Sequence, residues 1–278
     1  MTTNQHPLCL VTGANTGIGF EIVRGLAQAG AQVILACRNQ GKGEAARQAI
    51  ASEFKDSNPE LLIVDMASQR SIRNAAAEFT AKHPYLDVLV NNAGTVVPTR
   101  QESPDGIELT FATNVLGYHL LTKLLLDSLR KAKAARIINV ASAMAVGLDL
   151  EDVEFKQRRY TPAAAYAQSK QANRMLTWAL AKRLEGSNVT ANAMTPGAVD
   201  TPLLHAVAPN YPGRSTAKGA DTAIWLATSP EVAGITGRYW SDRTEEPCEF
   251  EGDEDEEPLW ELCEQMTSDK QSGDRVIR

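Results

Sequence analysis

Short apolar runs alternate with longer stretches of helical periodicity along most of the chain. Six runs, at 8–12 (LCLVT), 32–37 (QVILAC), 61–64 (LLIV), 88–91 (VLVN), 136–140 (RIINV) and 189–194 (VTANAM), read as buried strands, and 237–240 (GRYW) is a seventh candidate. Between them, residues 18–29 (closed by Gly30), 43–54, 71–82, 106–131 and 163–184 have the spacing of amphipathic helices. A further helix is predicted over 216–227, with Ser215 as its N-cap and Pro230 just beyond its end. Strands alternating with helices predict an α/β protein with a doubly wound, mostly parallel, seven-stranded sheet. The expected organisation is one domain over 1–242 and an acidic C-terminal extension over 243–278, whose PLWELCEQM stretch reads as a short amphipathic helix.

Two connections are too long for ordinary strand-to-helix loops. Residues 143–160 and 197–215 both follow the C-terminal ends of predicted strands. Ligands of an open parallel sheet bind outside that edge, so both loops are placed to shape a substrate pocket.

Composition narrows the function classes. At 278 residues with 43% hydrophobic side chains the bulk of the chain cannot be disordered, since a fold of this length buries roughly three quarters of its unfolded surface. The net charge is −6, yet nine acidic and no basic residues fall between Glu245 and Glu257, so the remainder is close to neutral. That acidic run reads as a solvated, mobile surface segment. No basic field exists to attract nucleic acid. No apolar run approaches the ~20 residues of a membrane span, and the N-terminus lacks the zones of a signal peptide, so a cytoplasmic protein is expected. Cys9, Cys37, Cys248 and Cys263 fit no metal spacing and read as free thiols. His6, His83, His119 and His205 share no such spacing either, so no metal is expected. Trp178 and Trp225 read as packing residues, and His205 as an exposed loop histidine.

The first strand runs into TGANTGIG, which places Gly13, Gly17 and Gly19 in a turn that opens a helix. Glycines there admit a tight turn and let a diphosphate approach the amides at the helix N-terminus, although a Gly-rich turn can also be simple punctuation. The second strand ends at Arg38, about where a dinucleotide fold reads the adenosine ribose. No acid stands there to accept from a 2′-hydroxyl, whereas a guanidinium suits a 2′-phosphate. NADP is therefore preferred, with NAD as the alternative if Arg38 is only a solvated loop charge. Asp65, closing the third strand, is placed either to accept from the adenine amino group or to serve as a helix N-terminal carboxylate.

Tyr166 and Lys170 in YAQSK stand four residues apart, on one helical face. Together with TGANTGIG, NNAG at 91–94 and Ser142 after the fifth strand, they make the sequence resemble the short-chain dehydrogenase/reductase family from about Leu8 to Trp240. Within it, ACRNQGKGEAA, Asn15 in the glycine loop and the long gap from Ser142 to Tyr166 look most like the branch of retinol dehydrogenases and protochlorophyllide reductases. The resemblance implies a Rossmann fold and a catalytic tetrad of Asn114, Ser142, Tyr166 and Lys170. Tyr166 would be the general acid and base, with its phenol pKa lowered by the Lys170 ammonium. Ser142 would hold the substrate oxygen, and Asn114 would kink its helix and hold a water leading from Lys170 to solvent. The same resemblance assigns cofactor contacts to Asn15, Thr16 and Ile18 in the glycine loop and to Met66 beside Asp65. It adds Asn92, Ala93 and Gly94 beneath the adenosine ribose, and Pro196, Gly197, Val199 and Thr201 at the nicotinamide end.

The function expected on this basis is NADP-dependent hydride transfer between the cofactor and a carbonyl or alcohol of a lipophilic small molecule. Reduction of a conjugated carbon–carbon double bond and a non-catalytic NADP-binding regulator are the alternatives. SDRTEEP follows GITGRYW where many family members end on a Gly-rich turn used in tetramer packing, which leaves a homodimer through 106–131 and 163–184 as the default assembly.

Overall fold

The computed structural model describes residues 6–268, and its centre is one sheet of eight strands in the order β3-β2-β1-β4-β5-β6-β7-β8. These are β1 (Leu8–Thr12), β2 (Gln32–Cys37), β3 (Glu60–Ile63), β4 (Val88–Asn91), β5 (Ala135–Val140), β6 (Val189–Thr195), β7 (Tyr239–Ser241) and β8 (Thr244–Glu246). The first seven pair in parallel. β8 is the exception, returning antiparallel to β7 through Asp242 and Arg243, both with positive φ (48° and 63°). A two-residue hairpin turn needs that conformation at both central positions. Here it is adopted without glycine, held by Arg214 on Asp242 at 2.6 Å and by an Arg243–Asp221 ion pair. The turn thus carries no sequence signal, which is why seven strands were expected and eight are found.

Alternation along the strands sorts the core into two layers. Leu8 and Leu10 of β1 pack with Ile72, Phe79, Leu121 and Leu125 on one face. Cys9 and Val11 pack with Ile22, Leu26, Ile50 and Leu226 on the other. The first face is covered by α3 (Gln69–Lys82), α5 (Gly117–Lys131) and α6 (Pro162–Arg183), and the second by α1 (Gly17–Gln28), α2 (Gln40–Glu53) and α8 (Thr216–Thr228). Strand order reverses between β1 and β4, so the carboxyl ends of these two strands open a crevice.

Helix starts follow their caps. α2 begins three residues before its expected start because the Asn39 side chain accepts from Lys42 N at 2.9 Å. The predicted helix 106–131 starts at Leu109 and changes its hydrogen-bond pattern within its first turns. A buried Glu108 carboxylate accepts from the amides of Thr110 (2.8 Å) and Phe111 (2.6 Å) and starts the short α4 (Leu109–Phe111). A π-helical turn over Ala112–Leu116 then leads into α5. Within the second long connection lies α7 (Pro202–Val207), capped by Thr201.

The acidic run is not simply solvated. Glu245 and Glu246 belong to β8, and Arg238 pairs with Glu245 at 3.4 Å and Glu251 at 3.9 Å. Glu256 is buried against Lys182 at 2.7 Å, and Arg183 takes Glu257. These pairs anchor α9 (Glu256–Thr267), whose Leu259 and Cys263 enter a core shared with the π-helical turn and α6. His119 of α5, 3.0 Å from Glu264, lies edge-on to Trp260. All four cysteines are free. Among the described residues no helix is long and apolar enough to cross a membrane, and no cluster of His, Cys, Asp or Glu could hold a metal ion.

Candidate active site

The crevice between β1 and β4 is lined by the glycine loop. Gly13 and Gly17 both have positive φ (66° and 59°), a conformation side chains disfavour. A Cβ on Gly19 would lie 2.3 Å from Gly13 O and 2.5 Å from Asn92 Nδ2, so α1 can approach the loop this closely only through glycine. A Cβ on Gly17 would instead meet nothing nearer than Thr201 at 3.9 Å, because Gly17 faces the open cleft. The loop is tied to β4 through Thr12, whose hydroxyl accepts from Asn92 N (2.9 Å) and Ala93 N (3.0 Å). Asn92 Nδ2 donates back to Thr12 O at 2.8 Å. Sequence reasoning passed over Thr12 because it reads as the last residue of a buried strand.

Arg38 stands at the far end of this cleft, its side chain 76% exposed, with Nη1 4.0 Å from Asp65 Oδ2. Asp65 Oδ1 accepts from Ala67 N at 3.0 Å, so this carboxylate shapes the turn into α3 and still lines the cleft. Asn15, Thr16, Ile18, Met66, Ala93, Gly94, Pro196 and Thr201 line the same open cleft, which spans about 1440 Å³ including space continuous with solvent. Gly197 and Val199 face an adjoining cavity of about 830 Å³. Tyr166 lines both.

The four residues of the expected tetrad lie just after β5 (Ser142), on α6 (Tyr166 and Lys170) and in the π-helical turn (Asn114). The Ser142 hydroxyl, which accepts from Met144 N at 3.1 Å, lies near enough to Tyr166 to act on its phenol. Burial pushes that phenol up to about 12, and the Ser142 hydroxyl only partly opposes the rise. Lys170 is buried as well, and burial pulls its ammonium down to about 7. Its Nζ donates to Val140 O at 2.7 Å and lies 5.7 Å from the Tyr166 ring centre. Both side chains of this pair are thus withdrawn from water, one helical turn apart on α6. Asn114 sits within the π-helical turn, fully buried. Its Oδ1 accepts from Thr95 N (2.8 Å), and its Nδ2 donates to Thr95 O (3.1 Å) and Ser169 Oγ (3.1 Å). Its side chain thus clamps the segment after β4 to α6 and lines neither cavity.

The smaller cavity is walled by Ala143, Met144, Val199, Leu203, Leu204, Val207 and Tyr211, contributed by the two long connections and α7. Among the described residues no charged side chain lines it. His205 of α7 points elsewhere, exposed and 3.0 Å from Asp200.

The short chain dehydrogenase family matches residues 7–212. The chain belongs to that family. Among curated relatives, this dehydrogenase is 39% identical to retinol dehydrogenase 12 of Mus musculus over 256 residues, covering 87% of the chain and 80% of the relative. It is 38% identical to retinol dehydrogenase 13 of Homo sapiens, covering 83% and 75%. Among solved structures, an uncharacterized protein from Mycobacterium paratuberculosis superposes with a TM-score of 0.77 at 31% identity, covering 94% of this chain and 93% of that one. A short chain dehydrogenase from Shigella flexneri complexed with NADP superposes with a TM-score of 0.70 at 26% identity, covering 86% and 97%. Family membership makes the dehydrogenase an NAD(P)-dependent oxidoreductase of the retinol dehydrogenase-like branch.

Proposed function

We propose that this dehydrogenase uses NADPH to reduce the carbonyl group of an apolar small molecule. The observation that carries this reading is the position of Tyr166, where the polar cleft with its glycine loop meets a cavity walled by aliphatic and aromatic side chains. An apolar substrate gains about 25 cal/mol for each Å² it buries there, and a charged one would lose its hydration without finding a partner.

The cleft fits a dinucleotide. Gly17 leaves room that a side chain would fill, the amides that open α1 face it, and Arg38 offers an exposed guanidinium with only Asp65 near it. Arg38 supports NADPH over NADH because its fork matches a 2′-phosphate. The cofactor supplies hydride. With its phenol held protonated, Tyr166 is a proton donor to the carbonyl oxygen, and the Ser142 hydroxyl holds that oxygen as negative charge develops. Lys170, its ammonium lowered by burial, donates to the end of β5 one helical turn after Tyr166. The names of the retinol dehydrogenase relatives add to the case for a long apolar alcohol and aldehyde pair such as a retinoid.

A fluorescence titration with NADPH and NADH, followed by NADPH oxidation assays on apolar aldehydes and ketones, tests the reading. Tighter NADPH binding with turnover of an apolar carbonyl is expected. Preference for NADH, or turnover of charged substrates alone, would overturn it.

A further inference from the structure

Arg174 is the largest cation buried behind the candidate site. It lies on α6 eight residues after Tyr166 and four after Lys170, on the same helical stripe, and only 5% of it is exposed. Its Nη2 donates to Ser142 O at 2.6 Å and contacts the Tyr239 hydroxyl at 2.6 Å. The guanidinium stacks on the Tyr239 ring, 3.8 Å from its centre, and Nη1 lies 4.0 Å from Cys248 Sγ. Among the described residues it forms no ion pair, and its Nε has no partner. A guanidinium withdrawn from water with no carboxylate to offset its charge costs stability, and replacement by an apolar side chain of similar size would relieve that cost.

What this cation does instead is hold a turn. The Thr195 hydroxyl lies near that of Tyr239, and its Oγ1 accepts from Ala143 N (3.2 Å) and Gly197 N (3.2 Å). Arg174 therefore grips the carbonyl of Ser142, while Thr195 grips the next amide in the chain. The carbonyl and the amide of the one peptide group that joins Ser142 to Ala143 are thus both held. The same Thr195 hydroxyl reaches the loop that carries Gly197. We propose that Arg174, braced on Tyr239, is a positioning residue that sets the Ser142 hydroxyl against Tyr166 and the substrate oxygen. This rests on the carbonyl-reduction reading for its kinetic consequence, though not for its structural one.

The test is a double-mutant cycle on the full chain with an apolar aldehyde and NADPH. Arg174→Met is expected to lower kcat by about ten- to a hundredfold, as misplacement of a reacting group does, with KM for NADPH nearly unchanged. In a Ser142→Ala background the same substitution should cost less than about twofold, because the hydroxyl it positions is gone. Equal losses in both backgrounds, or full kcat in Arg174→Met, would overturn the proposal. Should Arg174→Met not fold, Tyr239→Phe removes the bracing hydroxyl while keeping the ring, and the same pattern is expected with a smaller loss. A crystal structure of either variant decides independently of activity. The Ser142 hydroxyl should shift away from Tyr166, and an unchanged placement would refute the positioning role. A Tyr166→Phe control that kept full turnover would sink the carbonyl-reduction reading alone, leaving the crystal structure to judge Arg174.

Discussion

Lys170 Nζ and Val140 O, 2.7 Å apart, tie α6 to the end of β5 through an ammonium that has left water. Burial lowers that group from its ordinary 10.5 to about 7. Between these values the unfolded chain holds a proton that the folded chain has released, so wild-type stability rises with pH across the window, and the full cost is present below it. Lys170→Met should accordingly be more stable than wild type at about pH 6, by roughly 1–4 kcal/mol, and the gain should vanish as pH approaches the unfolded value. Urea unfolding at both ends of the window measures this. A pH-independent difference would mean that Lys170 is charged and compensated in the fold.

Tyr166→Phe removes the proton donor and leaves the ring that walls both cavities. Turnover of an apolar carbonyl should fall by about 10²- to 10⁴-fold while NADPH affinity stays within about twofold. Stopped-flow and binding measurements on the same preparation separate the two quantities. Intact turnover would require another acid.

Arg38→Ala should weaken NADPH binding selectively. The guanidinium is exposed, so a bond to phosphate there is partly screened, and a loss of about tenfold for NADPH with little change for NADH is expected. Parallel titrations give the ratio. An equal loss for both cofactors would show that Arg38 does not read the 2′-phosphate.

Leu259 is fully buried where α9 meets the π-helical turn and α6. Leu259→Ala should cost roughly 2–5 kcal/mol of stability by opening a cavity there. Thermal unfolding checks it, since a change of less than about 0.5 kcal/mol would mark α9 as a loosely attached appendage.

Much of this architecture is legible before any coordinates. Gly13, Gly17 and Gly19 announce a turn because backbone preference is a property of the residue itself, and the four-residue step from Tyr166 to Lys170 places both on one face of any helix. The bounds of β1, β2 and β4 could be read from apolar runs for the same local reason. The edges of α2 and of the helix expected over 106–131 were harder to read. They depend on which side chain caps which amide, as Asn39 and Glu108 do.

The sequence by itself determined the strand and helix alternation, the glycine turn and the residue types available for proton transfer, since period, turn chemistry and side-chain chemistry are local. Only the tertiary structure decided the π-helical turn at Asn114, the glycine-free hairpin at Asp242 and Arg243, and the docking of α9 by Lys182 and Arg183. It also decided that Tyr166 and Lys170 are both withdrawn from water, and that Arg174 reaches Ser142 from 32 residues away. Each of these depends on dehydration and on contacts between distant segments, which come into being only when the chain has closed on itself.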